Sequence, residues 1–337
     1  KARRLKEATK LLEENSKDLK GRLLKIKAKP TQSFDYELAE IFKKDDTRDP
    51  NKLLGYPLTK FKTISKKING IQPGFYLLGA ETNVGKTAVL TNLTLDVLET
   101  NPEVNVFYYS LDDSRVYTAY RFLSILTQFH INDVKKKQNE ASRQELLDEK
   151  RSQVIQYIKE KRLVIKDISE VSHIDELELD IREIEKENLI VFIDGLYNLE
   201  VGKGTKSIRE QNMERANRVK LLVDSYHLPI FTTGELRKKM KEESKDKKPT
   251  VNDLMETGKF AYNANVVWLL YSNTQEELKQ DEPLLTLEYV KNKLSDFRGN
   301  QSLTFKRATG TMEEFRLGVA GDAGDSFNFN QARELEF

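Results

Sequence analysis

The residues Ala80-Glu-Thr-Asn-Val-Gly85-Lys86-Thr87 end in a glycine, a lysine and a hydroxyl in direct succession. That spacing suits a loop between a strand and a helix, whose backbone N–H groups wrap phosphate oxygens while the helix start adds partial positive charge. In such a loop Gly85 permits close backbone approach, Lys86 reaches the β and γ phosphates, and the Thr87 hydroxyl completes a Mg²⁺ site. Ala80 stands where the common pattern has its first glycine. The phosphate contacts are therefore expected from Ala80, Glu81, Thr82, Asn83, Val84, Gly85, Lys86, Thr87 and Ala88, with ATP and Mg²⁺ as the ligands.

Two carboxylates follow strand-like apolar runs. Asp194 closes Leu189-Ile-Val-Phe-Ile-Asp194 and is expected to hold the metal with Thr87. The next residue is Gly195, so the base that activates water must come from elsewhere. Tyr109-Ser-Leu-Asp112-Asp113-Ser114 supplies one, with Asp112 the expected base and Asp113 the alternative. A plainer reading has Asp112 capping the helix that follows.

These groups need a scaffold that brings strand ends together. Strands are expected at Phe75–Gly79, Val104–Ser110, Leu163–Ile165, Leu189–Asp194, Pro229–Thr233 and Val266–Tyr271, with a helix from Thr87 to about Leu98. Nearly continuous apolar strands separated by helical patterns describe an α/β fold with a mainly parallel sheet covered on both faces. Leu284–Val290, Leu303–Phe305 and Glu313–Leu317 read as an antiparallel finish. The Lys- and Glu-dense stretch 133–187 reads as solvated helix surface. Upstream, Leu5, Leu12, Leu19 and Ile26 recur every seven residues on a helix over 1–30, which carries 11 basic and 4 acidic residues, a net of +7. So narrow a stripe needs a neighbouring domain or subunit to cover it. Residues 31–70, punctuated by Pro50 and Pro57, read as a loop-rich approach, 71–320 as the core domain and 321–337 as a tail.

Composition narrows the function. The chain has 337 residues, no cysteine and three histidines, which excludes a disulfide scaffold and thiolate or His-rich metal sites. Its net charge is +2, so any nucleic-acid surface must be a local concentration of charge. No apolar run approaches a membrane span, and a soluble, intracellular protein without membrane partners is expected. Residue 1 is Lys, consistent with a fragment of a longer chain.

Several segments together resemble one family, the DnaB-type replicative ring helicases with their RecA-like motor domain. Ile71-Gln-Pro-Gly74 through Thr87 looks like that family's first motif, including alanine at the first glycine position. Tyr109 to Ser114 is similar to its Phe-Ser-Leu-Glu segment, with the Glu shortened to Asp112. Asp253-Leu-Met-Glu-Thr-Gly258 and the strand beyond resemble its Asp-Leu-Arg-Glu-Ser-Gly motif, with Met255 replacing Arg. Thr232-Thr-Gly-Glu235-Leu-Arg237 loosely matches its Ser-Gln-Leu sensor. Val290-Lys291-Asn292-Lys293 through Arg298-Gly299 is similar to the last motif, whose Lys-x-Arg reaches the neighbouring subunit's nucleotide. Lys293 stands where the finger arginine is usual, Arg298 is the nearby substitute, and Lys lacks the bidentate guanidinium contact.

The resemblance, over about residues 52–318, implies a divergent, phage-like member acting in the cytoplasm of a bacterium or phage-infected cell. It implies a homo-oligomer, expected as a hexamer, that moves on single-stranded DNA, with a primase or helicase loader as further partners and 1–30 as a linker helix docking on the next protomer. The DNA contacts are expected from two basic loops: 201–220, with Lys203, Lys206 and Arg209, and 237–248, with Arg237, Lys238, Lys239 and Lys241 and a net charge of +4. Two alternatives stay open, a RecA-like recombination or regulatory ATPase without unwinding activity and the motor half of a primase-helicase.

Overall fold

In the computed structural model the residues described are 33–183, 188–202, 207–237, 248–254 and 258–315. The elements run α1 (Phe34–Asp46), α2 (Lys62–Lys67), β1 (Gly74–Ala80), α3 (Lys86–Thr100), β2 (Asn105–Ser110), α4 (Arg115–Thr127), α5 (Ala141–Lys159) and β3 (Leu163–Asp167). They continue with α6 (Ile174–Glu183), β4 (Leu189–Asp194), α7 (Ile208–Tyr226), β5 (Pro229–Glu235), α8 (Gly258–Asn263) and β6 (Val266–Tyr271). The last are α9 (Gln275–Leu278), β7 (Leu284–Asn292), β8 (Gly299–Lys306) and β9 (Thr311–Glu314).

All nine strands form one sheet in the order β3-β2-β4-β5-β1-β6-β7-β8-β9. The first six are parallel, and β7, β8 and β9 extend the sheet antiparallel. Alternation along each strand supplies two cores, because successive side chains point to opposite faces. Tyr76 and Leu78 of β1 join one core with Leu90, Leu93 and Phe122 of α3 and α4. Phe75 and Leu77 join the other with Leu177 of α6 and Val219 and Leu222 of α7.

One aromatic from each of six adjacent strands makes a row on the first face. Tyr108, Phe192, Phe231, Tyr76, Trp268 and Tyr289 lie with neighbouring ring centroids between 4.2 and 6.2 Å. Such pairs contribute roughly 0.5–1.5 kcal/mol each beyond their burial and resist slippage of the strands. The consequence for function is register: Ala80 pairs with Glu235 and Ser110 with Asp194, so these carboxyl ends share one rim.

A buried carboxylate ties the entry segment to this core. Asp96 of α3 accepts N–H groups from Thr59, Lys60 and Phe61 at 2.9–3.0 Å and hydroxyls from Thr59 and Thr100. Three expectations need correction. The approach segment holds a helix, α1, with Tyr36, Ile41 and Phe42 exposed. Most of the expected basic loop 201–220 is α7, started by a capping box in which Ser207 and Glu210 satisfy each other's backbone N–H. The last strand is Thr311–Glu314, four residues set by pairing with β8, and not Glu313–Leu317. The helix expected over 1–30 and the tail 321–337 lie outside the described residues.

Candidate active site

The loop from β1 to α3 curls because two of its residues have positive φ, Asn83 at 66° and Gly85 at 125°. At Gly85 the conformation calls for glycine, and a Cβ would press on the Met312 side chain at 3.2 Å. Ala80 is tolerated because it is the last residue of a regular strand, buried between Glu235 and Leu270. Lys86 opens α3 and folds its ammonium inward, donating to the carbonyls of Ala80 at 3.1 Å and Glu81 at 3.2 Å. Glu235 lies 3.6 Å from the same nitrogen and accepts the Thr82 hydroxyl at 3.2 Å.

Asp194 is buried at the end of β4. The Thr233 hydroxyl donates to it at 3.2 Å, the Tyr108 hydroxyl stands at 3.4 Å, and Thr87 hydrogen-bonds it as well. Burial pushes its pKa up to about 6, and the charges of Asp112 and Asp113 push the same way against the two threonine bonds. A buried carboxylate beside the Thr87 hydroxyl, short of positive charge, is a donor set that fits a hard divalent cation. Among the described residues no three acids or histidines cluster as a complete metal site, so Thr87 and Asp194 could hold such an ion only with other oxygens, from phosphate or water.

The two acids after β2 separate in the structure. Asp113 is paired with Arg121 of its neighbouring helix, which donates through Nε at 3.0 Å and Nη2 at 2.9 Å. Asp112 is exposed and held from across the sheet: the Tyr197 hydroxyl donates to Oδ2 at 2.7 Å, and the Asn198 amide donates to Oδ1. Capping of α4 falls instead to Ser114, which accepts the Tyr117 N–H. The glycine after Asp194 also has its reason here. Gly195 has φ 88°, and a Cβ there would come within 2.8 Å of the Asp112 carboxylate.

The antiparallel strands close over the loop. The Phe305 ring flanks Gly85, Arg307 donates to the Asn83 carbonyl at 3.4 Å, and a cleft of about 190 Å³ opens between α3, α4 and these strands. A larger cavity of about 640 Å³, lined by Leu54, Tyr56, Leu189 and Leu228, lies at the opposite end of the sheet and takes no part in this rim.

Lys291, Lys293 and Arg298 are not brought to this loop. Asn292 pairs with Val266, the first residue of β6, and the Lys293 N–H donates to the Asn265 carbonyl. That end of the sheet is five residues down β1 from Ala80, roughly 17 Å at ~3.3 Å per residue. Lys291 donates to the carbonyls of Ala261 at 2.8 Å and Tyr262 at 2.7 Å, at the end of α8. Burial, with the charges of Lys293 and Lys220, lowers its pKa to about 8. Arg298 turns back onto the carbonyls of Ser295 and Phe297. The side-chain contacts of Lys291 and Arg298 are thus made away from the loop of their own chain.

Of the expected DNA contacts, Lys203, Lys206, Lys238, Lys239 and Lys241 lie outside the described residues. Arg209 is exposed on the first turn of α7. Arg237, two residues after Glu235, is ion-paired with Asp253 at 3.2 Å, and its N–H donates to the Asp253 carbonyl. Three cations read as loop charges do structural work on α7. Arg215 is buried and donates to the Leu199 carbonyl, Arg218 pairs with Glu178 and Asp175, and Lys220 pairs with Asp224. Tyr197 and Asn198 had no assigned role in the sequence, and Thr233 and Glu235 figured only in the loose match to the Ser-Gln-Leu sensor. Glu235 carried the same sign as Asp194, an acid closing an apolar strand.

The family model for the DnaB-like helicase C-terminal domain matches residues 58–320. The chain belongs to that family. A replicative DNA helicase DnaB of Helicobacter pylori J99 is 27% identical over 278 residues, covering 80% of this chain and 55% of the relative. A replicative DNA helicase DnaB of Buchnera aphidicola is 25% identical over 246 residues, covering 71% and 50%. The chain thus spans about half the length of the curated relatives it matches. Among solved structures, one described as an ATPase domain is 20% identical with a TM-score of 0.71, covering 84% of this chain and 99% of that one. A DnaB-like replicative helicase, described with its interactions with primase, gives 20% and 0.69, covering 87% and 70%. The fold of this DnaB-family chain is the RecA-like ATPase core.

Proposed function

We propose that this chain is the motor of a replicative DNA helicase, hydrolysing ATP to move along single-stranded DNA as a homohexameric ring and to separate the strands of a duplex. The observation that carries the reading is the rim where Lys86, Thr87, Asp194 and Asp112 gather at the carboxyl ends of β1, β4 and β2, in a chain of the DnaB-like family. In this reading the loop N–H groups hold the phosphates, and Lys86 exchanges its carbonyl contacts for the γ-phosphate. Thr87 and Asp194 would hold Mg²⁺, which would supply positive charge to offset that of the phosphates. Asp112 orients the attacking water and takes its proton, held in aim by Tyr197 and Asn198. The cleft beside Phe305 and Arg307 takes the nucleoside.

The remaining assignments belong to the same proposal. Lys293, with Lys291 or Arg298, completes the site of a neighbouring subunit, which explains cations gathered far from their own loop. Arg209 and the basic stretches containing Lys203, Lys206, Lys238, Lys239 and Lys241 track the DNA phosphates. Primase or a loader engages the ring, and the work is done in the cytoplasm of a bacterium or phage-infected cell. Among the described residues no helix is long and apolar enough to cross a membrane. Negative-stain imaging with nucleotide tests the assembly: a closed six-fold ring is expected, and a filament or a monomer contradicts it.

A further inference from the structure

We propose that Glu235 is a displaceable counter-ion of Lys86 that weights the site toward nucleoside diphosphate and against triphosphate. The inference deepens the phosphate-loop reading above and rests on it. An ammonium has three protons, and Lys86 faces three acceptors: the carbonyls of Ala80 and Glu81 and the carboxylate of Glu235 at 3.6 Å. Glu235 is fixed in this position by the Thr82 hydroxyl and by the register that sets it beside Ala80. Of these three acceptors it alone is charged.

A γ-phosphate that takes Lys86 leaves Glu235 without its cation and facing a polyanion. The rim already carries the carboxylates of Asp194 and Asp112, and Glu235 is close enough to Tyr197 to act on its hydroxyl. A diphosphate adds no such charge, so Lys86 keeps Glu235 while it serves the β-phosphate. Hydrolysis therefore restores the pair, and the carboxylate resists reloading.

The test is calorimetric titration of the full chain with ADP and with a β,γ-imido triphosphate analogue, each with Mg²⁺. Glu235→Gln keeps an oxygen for Thr82 and removes the charge. It should tighten the triphosphate analogue about tenfold and ADP by less than about threefold, as expected for a partly screened charge pair near 4 Å. Glu235→Ala, which also loses the Thr82 contact, should move the ratio the same way. A merely structural role would move the melting temperature and leave the ratio alone. If Lys86→Ala weakens both ligands and neither Glu235 variant changes their ratio, the counter-ion role is wrong and the phosphate-loop reading survives. If Lys86→Ala leaves both affinities unchanged, the phosphate-loop reading itself falls, and this inference with it.

Discussion

Tyr197 donates its hydroxyl to Asp112 at 2.7 Å, joining the turn after β4 to the turn after β2. Burial, and then the bond to Asp112 itself, push the phenol above the usual tyrosine range, so it remains a donor at any working pH. With Asn198 on the other oxygen, the carboxylate is held in one orientation by groups that follow β4. The two strand ends that must cooperate are thus mechanically one unit.

Asp112→Asn should keep nucleotide binding and cut hydrolysis by ~10² or more, since a general base contributes about 10²–10⁴. Asp113→Asn should act mainly by releasing Arg121, with a far smaller effect on turnover. Steady-state hydrolysis with a separate binding titration distinguishes them. A reversed order of the two variants would assign the base to Asp113.

Asp194 has its folded pKa raised to about 6, so its sign is opposite to that of a salt-bridged acid. Its contribution to stability is fully present below the unfolded value near 4 and is lost as pH rises through about 6. The ligand-free protein should therefore lose stability between about pH 4 and 7. Asp194→Asn should flatten that profile and gain on the order of 2 kcal/mol at about pH 7. Mg²⁺ with ATP should stabilise the parent chain and not the variant. Melting curves across pH check both statements, and an unchanged pH profile in the variant would contradict them.

Asp96→Ala should destabilise the fold by about 3 kcal/mol or more, because it strands three backbone donors and the Thr59 hydroxyl before α2 and the Thr100 hydroxyl at the end of α3. Denaturant unfolding followed by the single tryptophan, Trp268, measures it, as the indole is buried within the aromatic row. A loss under ~1 kcal/mol would mean that the loop 59–61 is satisfied by water.

Lys293→Ala should abolish most hydrolysis although Lys293 lies at the far end of its own sheet, since a cation delivered in trans can be worth ~10³ in rate. Subunits carrying Lys86→Ala retain intact fingers and should restore part of that activity on mixing. Verified co-assembly without rescue at Lys291, Lys293 or Arg298 would remove the trans assignment.

The strand set and the phosphate loop were legible because both rest on local pattern: apolar runs of strand length, and a Gly-Lys-Thr between strand and helix. The choice between Asp112 and Asp113 was not, since it depends on Arg121 and Tyr197, 8 and 85 residues away. The basic stretch 201–220 misled because its cations alternate with apolar residues at helical spacing, and Arg215 is buried as a structural donor. Glu235 was legible only within a loose sensor match, because its place beside Lys86 depends on its register against Ala80, a contact between strands distant in sequence.

Hydrolysis stimulated by DNA is the most direct test of the proposed motor function. Phosphate release by the purified chain should rise severalfold on adding oligo(dT), and Lys86→Ala, still folded by circular dichroism, should show none under either condition. Wild-type turnover in the Lys86 variant, or a parent chain that hydrolyses no ATP with or without DNA, would contradict it.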